Sequence, residues 1–465
     1  MTASSPTQNS PTQNSLTQPT IALLPWGDLI EDFLNSIGVS LDSFCTQMTG
    51  GWLFGYVEAL KRVGVRTVVF CISNQVTQPE RRIHQPTGAT LCFLPASKLH
   101  SVARRPMRHP YGWTIEETFG KQPRSRRPAL KLLKDIAPYL ATPLLSLAEE
   151  LRREQCQAIL CQEYEYARFD LSVLLGQWLR LPVFATFQGG DFQLSRLERF
   201  VRPSSLHHSA GLIVATQTEI QRLQQRYRMP GAKIAQIFNP MDVQEWRSSD
   251  RHSCRAALGL PIEADVVISH GRIDLHRKGL DILIAAWEQL CQKYPHRDLR
   301  LVLVGTGSDA QALSDLIAAK QLRGVLWINE YVRDRGLIQQ YLSAADLYTL
   351  ASRHEGFPVA PIEAMALGLP IVATDAPGIP DILIEQENSG GLIVPREDAS
   401  ALMQGLDRVL NEPELRTQLG ARSRQRAEQA FSLEAIGQQL KQVLFPHRLL
   451  DQTDESYEGS RRLGE

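Results

Sequence analysis

Several features that would announce a common activity are missing from these 465 residues. No Asp-x-Asp occurs, and no His or Cys cluster has metal-ligand spacing, which argues against a metal-dependent mechanism. No GxxxxGK[ST] occurs, which argues against a P-loop kinase or ATPase, and no GxSxG elbow is present. Gly305-Thr306-Gly307 is half of a dinucleotide fingerprint, but Asp309 and Ala310 follow and leave it incomplete. Charge is balanced, with 50 Lys+Arg against 50 Asp+Glu, so bulk attraction to nucleic acid is not implied. The seven cysteines (Cys45, Cys71, Cys92, Cys156, Cys161, Cys254, Cys291) are scattered without a CxxC pair. They read as reduced, buried thiols of a cytoplasmic protein. No run of about 18 uncharged apolar residues exists, so no membrane-spanning helix is expected. The first twenty residues have neither a charged n-region nor an apolar h-region and do not read as a secretory signal. They repeat SPTQN, and a disordered tail is expected over 1–18.

What is present is an ordinary globular composition, 43% hydrophobic and 22% charged, long enough for two or three domains. Short apolar runs at 21–24, 65–73, 89–94, 158–161, 182–187 and 211–216 read as strands. They are separated by amphipathic helical stretches such as 52–63 and 169–180. After a polar stretch at 247–255 the alternation restarts, with strands at 265–270, 299–304, 325–328, 347–350, 370–374 and 390–394. Alternating strand and helix predicts parallel βαβ units. The expected fold class is therefore α/β, with two doubly wound, Rossmann-like domains facing across a cleft. The boundaries are 19–240 and 250–430, followed by a helix over 431–448 and a polar tail over 449–465. Ligands of such sheets bind at the carboxyl ends of the strands.

The richest stretch is 346–381. It reads as a strand, the loop Arg353-His354-Glu355-Gly356-Phe357-Pro358, a helix over 359–367 and another strand. Pro361 suits a first helical turn, and Gly368 with Pro370 suits its end. Free N–H groups at the helix start would favour an anion. Glu355 and Glu363 lie in the same unit and would repel that anion unless they bind something else, such as sugar hydroxyls. Arg272 and Lys278, in the loop after the strand at 265–270, are cations suited to a diphosphate. Gly50-Gly51 before a helix would let a ligand approach the backbone. Gln188-Gly189-Gly190-Asp191 follows a strand and would face the crevice. Residues 103–134 break the pattern. They carry nine Lys and Arg against Glu116 and Glu117, interleaved with Tyr111, Trp113 and Phe119. The segment reads as a solvated face, as a surface for anionic lipid or an anionic acceptor, or as an RNA contact without a known RNA motif.

GRIDLHRKG, LVLVGTGSD, NPMD and ADLYTLASRHEGFPVAPIEAMALGLPIVATD together resemble the GT-B-fold retaining glycosyltransferases of family 4, the glycosyl transferases group 1. The resemblance is strong over 210–430 and weaker over 19–205. Glu355 and Glu363 match the E-x7-E motif of that family. By resemblance, Glu363 would hold the ribose of a nucleoside diphosphate sugar and Glu355 would contact the sugar. Arg272 and Lys278 would bind the pyrophosphate; with Glu355 they form the expected catalytic set. Backbone N–H groups at Gly356, Phe357 and Val359 would line the phosphate and sugar end, and Gly51 matches the N-terminal loop glycine near the donor phosphate. The last helix would cross back onto the N-terminal domain. Retention, independence of metal and of any cofactor other than the donor, and a role such as polysaccharide synthesis are implied in the same way.

The chain departs from the family where many relatives place a His. Gln188 stands there and cannot titrate; with Asp191 it is assigned to the acceptor side. The partners implied are a nucleotide-sugar donor and a hydroxyl acceptor, with contact to an anionic membrane through 103–134 and no nucleic acid. The expected location is cytoplasmic or peripheral at the inner face of a membrane. The alternatives are a catalytically inactive partner subunit and a GT-B-fold sugar epimerase.

Overall fold

The computed structural model describes residues 18–187 and 195–446. Eight strands form the first sheet: β1 (Thr20–Leu24), β2 (Arg66–Ser73), β3 (Glu80–Ile83), β4 (Thr90–Pro95), β5 (Ala158–Cys161), β6 (Val183–Thr186), β7 (Gly211–Val214) and β8 (Ile234–Gln236). Six form the second: β9 (Asp265–His270), β10 (Leu299–Val304), β11 (Val325–Ile328), β12 (Leu347–Leu350), β13 (Ile371–Thr374) and β14 (Gly391–Val394). Their spatial orders are β3-β4-β2-β1-β5-β6-β7-β8 and β11-β10-β9-β12-β13-β14. All pairings are parallel except that of β3 with β4.

Both sheets are covered on two faces, so their strands are continuous apolar runs. Along β1, Ile21 and Leu23 enter one core cluster while Ala22 and Leu24 enter the other, as the two-residue period requires. Chain order reverses between β1 and β5 in the first sheet and between β9 and β12 in the second. Those two switch points are where doubly wound sheets leave a crevice at the strands' carboxyl ends.

Helix Pro413–Phe431 belongs to the second sheet's packing, and the chain then bends at Ser432, whose hydroxyl accepts from Ala435 N. Helix Leu433–Leu444 sends Ile436, Leu440 and Leu444 into the core of the first sheet. It lies so close to helix Gly51–Arg62 that a Cβ on Gly437 would sit 2.2 Å from the carbonyl oxygen of Ala59. This return makes the two sheets one packed body.

Two stretches differ from the sequence reading. The stretch between β1 and Gly50, to which the sequence reading gave no element, holds helices Ile30–Ser36 and Leu41–Thr46. β3 is an antiparallel edge strand of sequence ERRI, with no apolar alternation to reveal it. Its Arg81 pairs with Glu150 and, at 3.0 Å, with Glu154, so the edge is held by charge. The basic segment 103–134 holds helix Ile115–Phe119 and the first turns of helix Arg127–Ala141.

Candidate active site

The loops after β9 and β12, flanking the second switch point, touch each other. A Cβ on Gly279, at φ +59°, would lie 1.9 Å from the carbonyl oxygen of Ala351, so only glycine allows this approach. Arg353 N donates to Arg277 O at 2.9 Å, and the Arg353 guanidinium donates to His276 O at 2.9 Å. The same guanidinium bridges Asp281 in the first turn of helix Leu280–Lys293.

This contact places Lys278 on Glu355. The ammonium donates to Oε1 at 2.7 Å and to Oε2 at 2.9 Å, and Ser352 Oγ donates to Oε1 at 2.6 Å. The Glu355 side chain is only 6% exposed, so the pair and the serine are what make its charge tolerable there. Arg272 is exposed and forms no ion pair among the described residues. It lines a small cleft with Lys278, Ser269, His270 and Leu303.

Glu363 lies in helix Ala360–Ala366, one residue shorter at each end than the sequence suggested. Gly368, at φ +77°, follows its end as a left-handed terminator. His270 Nε2, at the last position of β9, is 2.7 Å from Glu363 Oε2. Its Nδ1 is buried and bonds to nothing among the described residues. The tautomer that donates from Nε2 therefore leaves Nδ1 as a bare acceptor, and the ring is aimed by Glu363 alone. Tyr348 meets the imidazole edge-on at 5.5 Å. Burial, and then the charge of Glu363, push its phenol well above the ordinary tyrosine range. Glu363 Oε1 accepts nothing from the described residues.

Glu363 also lines an interdomain cavity of about 470 Å³ with Gly50, Asn239, Arg335, Phe357 and Val359. Gly50, at φ +66°, precedes helix Gly51–Arg62 and packs against Arg335 of the opposite domain. Arg335 donates to Thr49 O at 3.5 Å and to Glu245 at 2.9 Å. Phe357 stacks on Phe238 with ring centres 5.2 Å apart, and Phe431 closes the cluster. The Phe357 ring is thus a junction contact, while the backbone N–H groups of Gly356, Phe357 and Val359 donate to no protein acceptor among the described residues.

The candidate residues therefore fall into two linked groups. Arg272, Lys278 and Glu355 gather in the loops at the switch point; Glu363, Phe357 and Val359 border the interdomain cavity together with Gly50, the neighbour of the predicted Gly51, and His270 joins the groups. Gln188 and Asp191 lie outside the described residues. Ser352 and Arg335 escaped the sequence reading, and His270, which flanks a motif and reads from the sequence as a packing or rim residue, contacts Glu363. The signal available for His270 was its place at a strand's carboxyl end. Ser352 and Arg335 carried none.

In the basic segment, two cations are internal braces. Arg104 bonds both oxygens of Asp32, and the Tyr111 hydroxyl reaches the same carboxylate at 2.8 Å. Lys134 donates to the carbonyls of Gly112 and Trp113, and burial lowers its pKa. Arg105, Arg108, Lys121, Arg124, Arg126, Arg127 and Lys131 are exposed. Among the described residues no helix is long and apolar enough to cross a membrane.

Residues 250–426 match the family model described as Glycosyl transferases group 1. A D-inositol 3-phosphate glycosyltransferase of Jonesia denitrificans is 32% identical over 253 residues, 52% of this chain and 58% of the relative. The chain spans about half the length of the curated relatives it matches first. Sucrose-phosphate synthase from Thermosynechococcus elongatus superposes with a TM-score of 0.60 at 22% identity, covering 94% of this chain and all of that one. Anabaena HepE, solved with UDP, gives 0.63 at 16% identity, covering 91% and 99%. The fold is that of the GT-B glycosyltransferases.

Proposed function

We propose, on the premise that residues 250–426 form a glycosyl transferases group 1 domain, that this chain transfers a hexose-type sugar from a nucleoside diphosphate sugar to a hydroxyl acceptor. The transfer is retaining and needs no metal. The observation that carries the proposal is the Lys278–Glu355 pair beside the guanidinium of Arg272, which forms no ion pair among the described residues, all in the loops at the second switch point.

Breaking the sugar–phosphate bond develops negative charge on the departing diphosphate. Arg272 offers a fork and Lys278 a point charge, and both gain most as that charge develops. Lys278 has three donors, so it can hold Glu355 and still meet a phosphate oxygen. Free backbone N–H groups at Gly356, Phe357 and Val359 add donors of the right sign. Glu363 keeps Oε1 for ribose hydroxyls while His270 fixes Oε2. Glu355, held by Lys278 and Ser352, orients the sugar. The departing phosphate oxygen takes the acceptor's proton, so the reaction needs no separate side-chain base. Closure of the two domains keeps water out. The solved complex of HepE with UDP supports a nucleotide in the equivalent fold.

The test is release of nucleotide from a panel of UDP-, GDP- and ADP-sugars with polysaccharide, lipid-linked and small-molecule acceptors. No turnover with any combination overturns the proposal.

A further inference from the structure

Three of the first domain's exposed apolar side chains lie beside free positive charge. Phe200 is 85% exposed, Trp113 62% and Leu132 60%. Leu132 lies on helix Arg127–Ala141 and Phe200 on helix Arg196–His208. Between these helices runs a groove of about 770 Å³, lined by Ile115, Leu132, Ile136, Leu197 and Phe200. Arg127, Lys131 and Arg196 stand along it, exposed and forming no ion pair among the described residues.

The groove does not end blindly. Ile115, Lys131, Asp135 and Arg196 also line a second cavity of about 520 Å³, whose inner wall is Asp28, Tyr111 and Tyr166, with the exposed Trp113 at its rim. Asp28 follows β1 and Tyr166 follows β5, so this cavity lies at the first sheet's switch point. Two of its acids have partners within the protein. Asp28 lies 3.7 Å from His100, and Glu198 lies 3.6 Å from Arg202 and caps its own helix through Ser195 N. Asp135 remains, facing Lys131, Lys134 and Arg196. The excess charge at the junction of groove and cavity is positive. An apolar trough, a cationic collar and an aromatic, hydrogen-bonding chamber follow one another from the surface inward.

We propose that this groove and cavity seat an anionic amphiphile: its apolar chain between helices Arg127–Ala141 and Arg196–His208, its anionic group at Lys131 and Arg196, and its hydroxyl-bearing head in the inner cavity, as the sugar acceptor. The acceptor role rests on the transferase reading; the binding does not. Apolar surface that costs free energy in water becomes useful when a chain covers it, and the collar selects for negative charge.

The test is titration of the full chain with 11-(dansylamino)undecanoic acid, below its micellar range, read by dansyl fluorescence. Dansylglycine, the same fluorophore and carboxylate without the chain, is the control. The expected result is saturable binding of one probe per chain, with dansylglycine weaker by about tenfold or more. Leu132→Asp with Phe200→Asp, and separately Lys131→Glu with Arg196→Glu, each weaken the probe by about tenfold. All four side chains are exposed, and circular dichroism checks that the variants fold. The proposal is overturned if the probe does not saturate, if dansylglycine binds as well, or if either double variant binds like the wild type. It also falls if light scattering shows a dimer that Phe200→Asp splits, since the groove is then a subunit interface. Probe binding with no nucleotide released from any donor sinks the transferase reading and leaves the groove standing. Turnover with a water-soluble acceptor but no probe binding does the reverse.

Discussion

Arg353 forks onto Asp281, with Nη1 to Oδ1 and Nη2 to Oδ2 both at 2.8 Å. Neither residue touches the cleft groups directly. Together they lock the loop that carries Lys278 to the loop that carries Glu355, because the same guanidinium also holds His276 O. The pair fixes where the two charges meet.

Arg353→Lys keeps the charge and loses the fork. We expect kcat to fall by about tenfold with KM for the donor changed far less, because misplacement of the charges is felt mostly in the transition state. Steady-state kinetics with the donor varied will show this split. Equal changes in both constants would place Arg353 in ground-state binding instead.

The same pair predicts a pH dependence of stability. Burial raises the Asp281 carboxyl, but the hydrogen bonds and charge of Arg353 outweigh it and hold the group below the usual carboxylate range. A depressed folded pKa contributes stability above the unfolded value, about 3.9, and loses it as pH falls through the folded value. Wild type should therefore melt above Asp281→Asn at neutral pH, and the gap should shrink as pH falls below the unfolded value. Asp281 is 39% exposed, so screening keeps the gap within about 1 kcal/mol. Melting curves across that range decide it.

Lys278→Ala should lower turnover by about 10²- to 10³-fold, the usual scale for one lost stabiliser of developing charge. Glu363→Ala should act mainly on donor affinity, weakening it by about tenfold. Calorimetry with the nucleotide separates the two effects. Full activity in both variants would mean that the wrong cleft has been assigned.

Gly50→Ala brings a Cβ to 2.4 Å from Arg335 Nη2 at a position with φ +66°. It should cost about 1–2 kcal/mol of stability from the backbone alone. In an Arg335→Ala background the clash disappears and the backbone strain stays. The double variant should therefore melt above Gly50→Ala taken alone.

A reaction carried by Arg272 and Lys278 without a metal should proceed at an unchanged initial rate in excess EDTA. Loss of activity restored by Mg²⁺ would assign part of the diphosphate charge to an ion.

The second domain was the more legible half because its signals are local. Pro361 and Gly368 bracket helix Ala360–Ala366, and parallel, doubly buried strands such as β9 and β13 are unmistakable apolar runs. Helix Leu41–Thr46 has a local signal too, Ser40 accepting from Ser43 N, but six residues give no readable period. β3 had none, since three of its four residues are charged and its Arg81 is held by Glu150 and Glu154, some seventy positions away.

By itself the sequence determined the alternation that builds two doubly wound sheets, the loops in which Arg272, Lys278 and Glu355 lie, and the family resemblance that these residues carry. Those follow from periodicity and turn chemistry, which act over a few residues. Only the tertiary structure decided that Lys278 rests on Glu355, 77 positions away, that His270 aims at Glu363, 93 away, and that Arg335 reaches Thr49 across 286. It alone put Leu132 and Phe200 on facing walls of one groove. Charge pairs and apolar walls form between side chains near in space, and nearness in space is set by how the sheets order and close.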